Sequence, residues 1–238
     1  MSKEVLLFII HSSTAISLLP IAIMLWYRKS LFQQSYGIAI FGIYVTFFLS
    51  ALFSYISCYF LESSTPSYHI FVTLRGFFIY LLFAKELKNK FLKTIGIALL
   101  LSIFVAEFLE LFYWGGLLSN NNLTQFFVNL EFIIFYILYI IDIYKNNPES
   151  MFEPRGVFPL YSVIFAYEVV FLLFSVIEND LREKLLIDPS AVAIWGGFVL
   201  LYSVSLILAS FLLWRNLRVS DNLTSSHIQT KKNETRDS

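Results

Sequence analysis

A chain of 238 residues that is 58% hydrophobic and only 14% charged has too little polar surface for one or two soluble domains and reads as an integral membrane protein. Its 17 Lys and Arg balance 17 Asp and Glu, a zero net charge that hides a bias between the two sides and says nothing about nucleic acid; there is no soluble basic domain to hold one, and none is expected as a partner. One cysteine, Cys58, excludes an internal disulfide and any cysteine-rich metal site.

Seven apolar runs follow in chain order. The first spans Val5 to Tyr27. His11, Ser12, Ser13 and Thr14 interrupt its apolar core and no small-x-small cleavage site follows, so it reads as a retained helix rather than a signal, kinked at Pro20. The others span Tyr36 to Phe60, Ser67 to Ala84, Thr94 to Tyr113, Gln125 to Tyr144, Phe158 to Ile177 and Ala191 to Trp214. The third is the shortest and carries Arg75 in its interior, wrapped by Phe71, Val72, Leu74, Phe77 and Phe78. Pro159 and Pro189 suit first-turn positions, and Asp188 or Ser190 can cap the last helix. Two loops look longer, Lys145 to Val157 and Glu178 to Ser190, the second with charges suited to a short surface helix. Residues 1–214 thus form one seven-helix membrane domain, and 215–238 a polar cytoplasmic tail with too few apolar residues to fold alone.

Basic loops stay in the cytoplasm. Arg28 and Lys29 follow the first span, Lys85, Lys88, Lys90 and Lys93 the third, and Lys145 and Arg155 the fifth, while the alternate loops are nearly bare. The fold class is therefore all-α, an integral membrane seven-helix bundle with its N-terminus outside and its C-terminus cytoplasmic. Trp26 and Trp214 at inner ends, and Trp114 and Trp195 near outer ends, fit an interfacial belt.

This orientation gathers the intramembrane ionisable residues toward one side. At about 1.5 Å per helical residue, His11, Glu107 and Glu131 lie roughly 9 Å below the outer boundary, Arg75 about 12 Å, Glu168 about 13 Å and Glu110 about 5 Å. Only Asp142 is comparable in the inner half. Such groups cost roughly 2.5 to 3.5 kcal/mol each near the bilayer centre, so they face the bundle interior and one another. Glu107 and Glu110, three apart, share a helix face. Arg75 can pair with only part of the acidic set, and the surplus must be protonated, hydrated or neutralised by a cation. His11, Arg75, Glu107, Glu110, Glu131 and Glu168 are the candidate ligand-binding residues of an acidic pocket open to the outer side, with Asn129, Tyr80 and Tyr167 available for hydrogen bonds. The competing reading makes the same charges structural pins between helices.

Motifs for other chemistry are missing. The last span holds no lysine for a retinal Schiff base, and neither HxxxH, HExxH nor GxSxG occurs. No catalytic residue, metal ligand or cofactor is expected, and the chain reads as a non-enzyme. Asn122-Leu123-Thr124 forms a glycosylation sequon in an outer loop.

The segments LLPIAIMLWYRK closing the first span, SNNNLTQFFVNLEFIIFYILY opening the fifth and EPRGVFPLYSVIFAYEV entering the sixth make residues 20–214 resemble stand-alone seven-span bacterial membrane proteins of unassigned function, similar in layout to the membrane sensor regions of histidine kinases. Nothing after Trp214 looks like a phosphoacceptor helix or an ATP-binding domain. The resemblance implies a bacterial inner-membrane location and a signalling role through a separate cytoplasmic protein. The expected partners are the lipid bilayer, a small or cationic ligand and that signalling protein. A proton- or cation-coupled transporter and a membrane scaffold subunit are the alternatives.

Overall fold

The computed structural model describes residues 3–61, 65–87, 89–114, 116, 122–146, 157–184 and 188–234, and among these the ordered elements are all helices. Four helices are long and apolar enough to cross a bilayer, over Lys90–Phe112, Leu123–Asn146, Phe158–Ile177 and Pro189–Ser220. Three shorter apolar stretches, His11–Trp26, Gly37–Phe53 and Tyr68–Ala84, accompany them. Large apolar side chains such as Leu101, Phe104, Val105 and Phe108 point outward, as expected where lipid rather than water is the solvent. This is a membrane protein.

The first apolar run is divided into α1 (Lys3–Ile16) and α2 (Leu18–Trp26), with Ser17 between them. Pro20 has no N–H to donate to the Ile16 carbonyl four residues back, and its ring crowds that carbonyl, so the helix is interrupted where that bond fails. The Ser17 hydroxyl donates to the Thr14 carbonyl at 2.6 Å and occupies one of the carbonyls beside the break. A short helix not anticipated from the sequence, α3 (Arg28–Gln33), buries Ser30 and Leu31 before the chain turns back.

The remaining helices are α4 (Gly37–Leu61), α5 (Thr65–Glu86), α6 (Lys90–Phe112), α7 (Asn122–Asn146), α8 (Phe158–Lys184) and α9 (Pro189–Glu234). Each matches one of the expected spans, with Tyr36 just before α4 and Tyr113 just after α6. α8 continues about two further turns of charged chain to Lys184 in place of the separate surface helix expected after Glu178. α9 likewise runs past Trp214 through most of the segment expected as a disordered tail. Extending a helix that is already nucleated needs only one further hydrogen bond per residue. The expected loop Lys145 to Val157 lies mostly outside the described residues.

Sequential helices pack side by side: α4 on α5, α5 on α6, α6 on α7, α7 on α8 and α8 on α9. α5 also packs on α7, while α1 and α2 close against α9. Lipid supplies no hydrophobic drive between helices, so close van der Waals packing has to hold them. Gly42 of α4 shows how close: a Cβ there would stand 2.3 Å from the Phe78 ring of α5. An aromatic core lies between α5, α7 and α8, where Phe83 stacks on Phe135 at 5.2 Å between ring centres and meets Phe132, Tyr139 and Tyr161 edge-on or tilted.

Candidate functional site

A cavity of about 330 Å3 opens between six helices. Its size falls at the lower end of the roughly 300 to 1,000 Å3 usual for small-molecule sites. α1 and the α1–α2 break supply Ser13, Thr14 and Ser17, α4 supplies Thr46, Phe47 and Ser50, and α5 supplies Tyr68, Val72 and Arg75. Gln125 enters from α7, and the far wall is aromatic: Tyr167, Phe171 and Phe174 from α8 with Trp195, Phe198 and Tyr202 from α9. Phe174 and Phe198 are parallel, 4.0 Å between ring centres and 6° apart in plane. The break at Ser17 matters here, because it places hydroxyls of the first span at the cavity rim of the bundle.

Arg75 is the charged member of this lining. It is 4% exposed, and its guanidinium carbon lies 4.7 Å from the centre of the Phe47 ring and 6.0 Å from that of Phe171. One terminal amino group donates to Asn129 Oδ1 at 2.9 Å, and the Gln125 side-chain amide donates to the same oxygen at 2.6 Å. The Arg75 Nε–H meets no hydrogen-bond acceptor among the described residues. Asn129, expected to contribute hydrogen bonds, therefore orients the arginine. Tyr167 lines the cavity, and Tyr80 does not.

The six residues expected to form one acidic pocket are divided among several places. His11 is exposed and does not line the cavity. Glu131, on α7, is fully buried with neither carboxyl oxygen bonded by a described residue, and Glu168, on α8, is 1% exposed. Both lie near enough to Arg75 to act on it electrostatically, yet neither lines the large cavity. Glu168 borders a separate void of about 20 Å3 with Tyr44 and Tyr202, enough for one water. The separation has a simple cause. Depth along a helix follows from residue number, but facing does not when the helix is apolar on every side.

The two glutamates of α6 are held elsewhere. Glu107 Oε1 lies 2.9 Å from His69 Nδ1 of α5. Glu110 accepts from the Leu123 N–H at 2.6 Å, the Thr124 N–H at 3.1 Å and the Thr124 hydroxyl at 2.5 Å. Its carboxylate thus satisfies first-turn N–H groups of α7, which a helix cannot bond internally, and faces the positive end of the helix dipole. Thr124 is fully buried in this contact, so the hydroxyl of the Asn122-Leu123-Thr124 sequon has a structural partner.

His69 was not among the expected site residues. The available signal was its layer: it opens the third span on the side where Glu107 and Glu110 close the fourth, and short connections make those spans antiparallel neighbours. His69, Glu107 and Glu110 could each offer one atom to a metal ion, all within 4.8 Å of one another. A metal there would compete with the His69–Glu107 bond and with the three bonds that Glu110 accepts from α7.

No family model, curated protein or solved structure matches this chain.

Proposed function

We propose that the chain is a non-enzymatic, sensor-like or accessory membrane protein that binds a small molecule in the cavity beside Arg75 and passes the change to a separate cytoplasmic signalling protein. In this reading it crosses a bacterial inner membrane seven times, with its N-terminus outside and its C-terminus in the cytoplasm. The observation that carries the proposal is the 330 Å3 cavity itself, polar on the α1 and α4 side and aromatic on the α8 and α9 side. With the basic loops inside, most lining residues fall in the outer half of their spans, with Ser17, Thr46 and Phe47 near the middle.

The inner half favours sensing over transport. Phe83, Phe132, Phe135, Tyr139 and Tyr161 fill the space between α5, α7 and α8 with rings, and Asp142 at the inner end of α7 accepts from its neighbour Asn146 at 3.1 Å. A coupled transporter needs polar groups that continue inward from the binding site. A cationic ligand, expected from the surplus of carboxylates, would meet the Arg75 guanidinium in this cavity, so a ligand of another charge class fits it better.

The test pairs binding with flux. The purified protein is screened for ligands by thermal stabilisation in nanodiscs, and each ligand found is repeated on Ala51→Trp, which fills the cavity from α4. Ligands that stabilise the native protein and not Ala51→Trp, and that drive no proton or solute flux in proteoliposomes, are the expected result. Ligands unaffected by Ala51→Trp overturn the site, and ligand-driven flux replaces sensing by transport.

A further inference from the structure

We infer that the cavity takes a small organic anion, one carboxylate on a flat aromatic body, with Arg75 as its anchor. The inference rests on the cavity being the ligand site and names the chemistry of the ligand.

What holds Arg75 is the decisive observation. An arginine kept in a bundle only to pin helices together is expected to form a close fork-to-fork pair with a carboxylate. Two carboxyl groups are near, Glu131 and Glu168, but no described carboxylate comes within ion-pair distance of Arg75. Its polar contact is to the neutral amide oxygen of Asn129, which Gln125 fixes from the other side. The guanidinium is thus oriented without being neutralised by direct contact, and its Nε–H has no acceptor among the described residues. One face of the ion lies against the Phe47 ring. A planar cation held in this way at the wall of a cavity is built to receive a planar anion.

The opposite wall sets the rest of the ligand. Phe174 and Phe198 are parallel at 4.0 Å and Phe171 and Phe198 nearly so at 5.2 Å, with Trp195 edge-on to Phe174. Such slabs suit a flat aromatic body, by offset stacking or edge-to-face contact. Ser17 and Thr46 donate their hydroxyl hydrogens to their own helices, to the carbonyls of Thr14 and Ile43. They therefore present oxygens to the cavity, which a ligand N–H or O–H remote from the carboxylate would meet. Glu131 and Glu168, outside the cavity, offset part of the cost of burying the arginine and leave its hydrogen-bonding edge to the ligand.

The experiment uses the full chain in phosphatidylcholine nanodiscs and measures binding of benzoate, 1-naphthoate and indole-3-acetate beside their neutral amides and the corresponding amines. Expected is at least about tenfold tighter binding of a carboxylate than of its amide, a difference of about 1.4 kcal/mol, and weaker binding still of the amine. Arg75→Gln should abolish the preference for carboxylate. Arg75→Lys, which keeps the charge and loses the fork, should reduce binding about tenfold and serves if Arg75→Gln does not fold. Nanodiscs containing phosphatidylglycerol distinguish a lipid headgroup from a free carboxylate: loss of carboxylate binding there overturns the proposal in favour of a bound lipid. Equal binding of amide and carboxylate, lost in Ala51→Trp, overturns the anion while leaving the ligand cavity. Binding by none of the panel, together with no ligand from the wider screen, removes both.

Discussion

His69 Nδ1 and Glu107 Oε1 stand 2.9 Å apart across the contact of α5 with α6, both residues buried. The pair is a polar link between two packed helices. Glu107 Oε2 has no further partner among the described residues, so the bond to His69 is the carboxylate's main satisfaction. Replacing His69 by Phe leaves a buried carboxyl unsatisfied, and the expected cost is about 1 to 3 kcal/mol. Adding Glu107→Leu should recover most of it, since removing both partners is nearly neutral when the shape is kept. Thermal denaturation of the two single variants and the double variant in one detergent measures the coupling. Additive losses would show that the contact contributes nothing of its own.

Glu110 acts on backbone as well as on a side-chain partner. It receives two N–H groups and one hydroxyl at the start of α7, and Glu110→Ala would leave those donors buried with fewer acceptors. The expected loss is again about 1 to 3 kcal/mol. It should be local, so amide exchange at Leu123 and Thr124 should accelerate more than exchange in the middle of α7. Uniform acceleration along the helix would contradict the capping role.

Much of this architecture is legible in the sequence, and the reason is physical. Lipid demands about twenty apolar residues per crossing, so six of the expected spans lie on single described helices to within a residue, from Tyr36 to Phe60 on α4 to Ala191 to Trp214 within α9, and the first is divided between α1 and α2. The caps at Asp188 and Pro189 were readable because they depend on residues two apart. The partners of the buried charges were not. Arg75 and Asn129 are 54 positions apart, and His69 and Glu107 are 38. A helix that is apolar on all sides carries no phase to say which neighbour each charge faces. Glu107, expected at a depth overlapping that of Arg75, meets His69 instead. The cavity escaped for a related reason. Its lining is ordinary Ser, Thr, Phe and Tyr from six helices, residue types that in isolation read as helix packing.

Gly42 tests how tightly α4 and α5 are fitted. Every added side chain begins at a Cβ that would stand 2.3 to 2.5 Å from three atoms of the Phe78 ring. Gly42→Val should therefore destabilise by about 1 to 3 kcal/mol through overpacking, despite adding apolar surface and helix propensity. A companion Phe78→Ala should relieve much of the clash. Equal melting temperatures for Gly42→Val and the native protein would show that the helices can separate freely there.

The start of α9 supplies a pH dependence outside the membrane spans. Asp188 Oδ1 accepts from the Ser190 hydroxyl at 2.7 Å and the Ser190 N–H at 2.8 Å. The hydroxyl first, then the N–H, with help from Lys184, hold the Asp188 carboxyl below its ordinary value of 3.8. A lowered carboxyl stabilises the folded form above the unfolded value and loses that contribution as pH falls through the folded one. The difference in stability between the native protein and Asp188→Asn should thus be constant near neutrality and shrink only in the acid range below the ordinary aspartate value. Melting curves from neutral pH downward check this, and a difference that changes near pH 7 would assign the effect to another group.

Glu131 separates stability from function most sharply. It is fully buried, and neither oxygen meets a donor among the described residues. Two effects compete when it is replaced. Unsatisfied buried oxygens favour an apolar substitute, whereas attraction to Arg75 opposes one. Arg75 already rests on Asn129 and the Phe47 ring, and no described carboxylate stands within ion-pair distance of it, so the first effect should win. Glu131→Met is expected to raise stability by about 1 to 3 kcal/mol. Buried groups that break local rules in this way concentrate at functional sites. The same variant should therefore melt higher and yet change its response to a ligand bound beside Arg75. A lower melting temperature would instead show that Glu131 is what holds the arginine in the bundle.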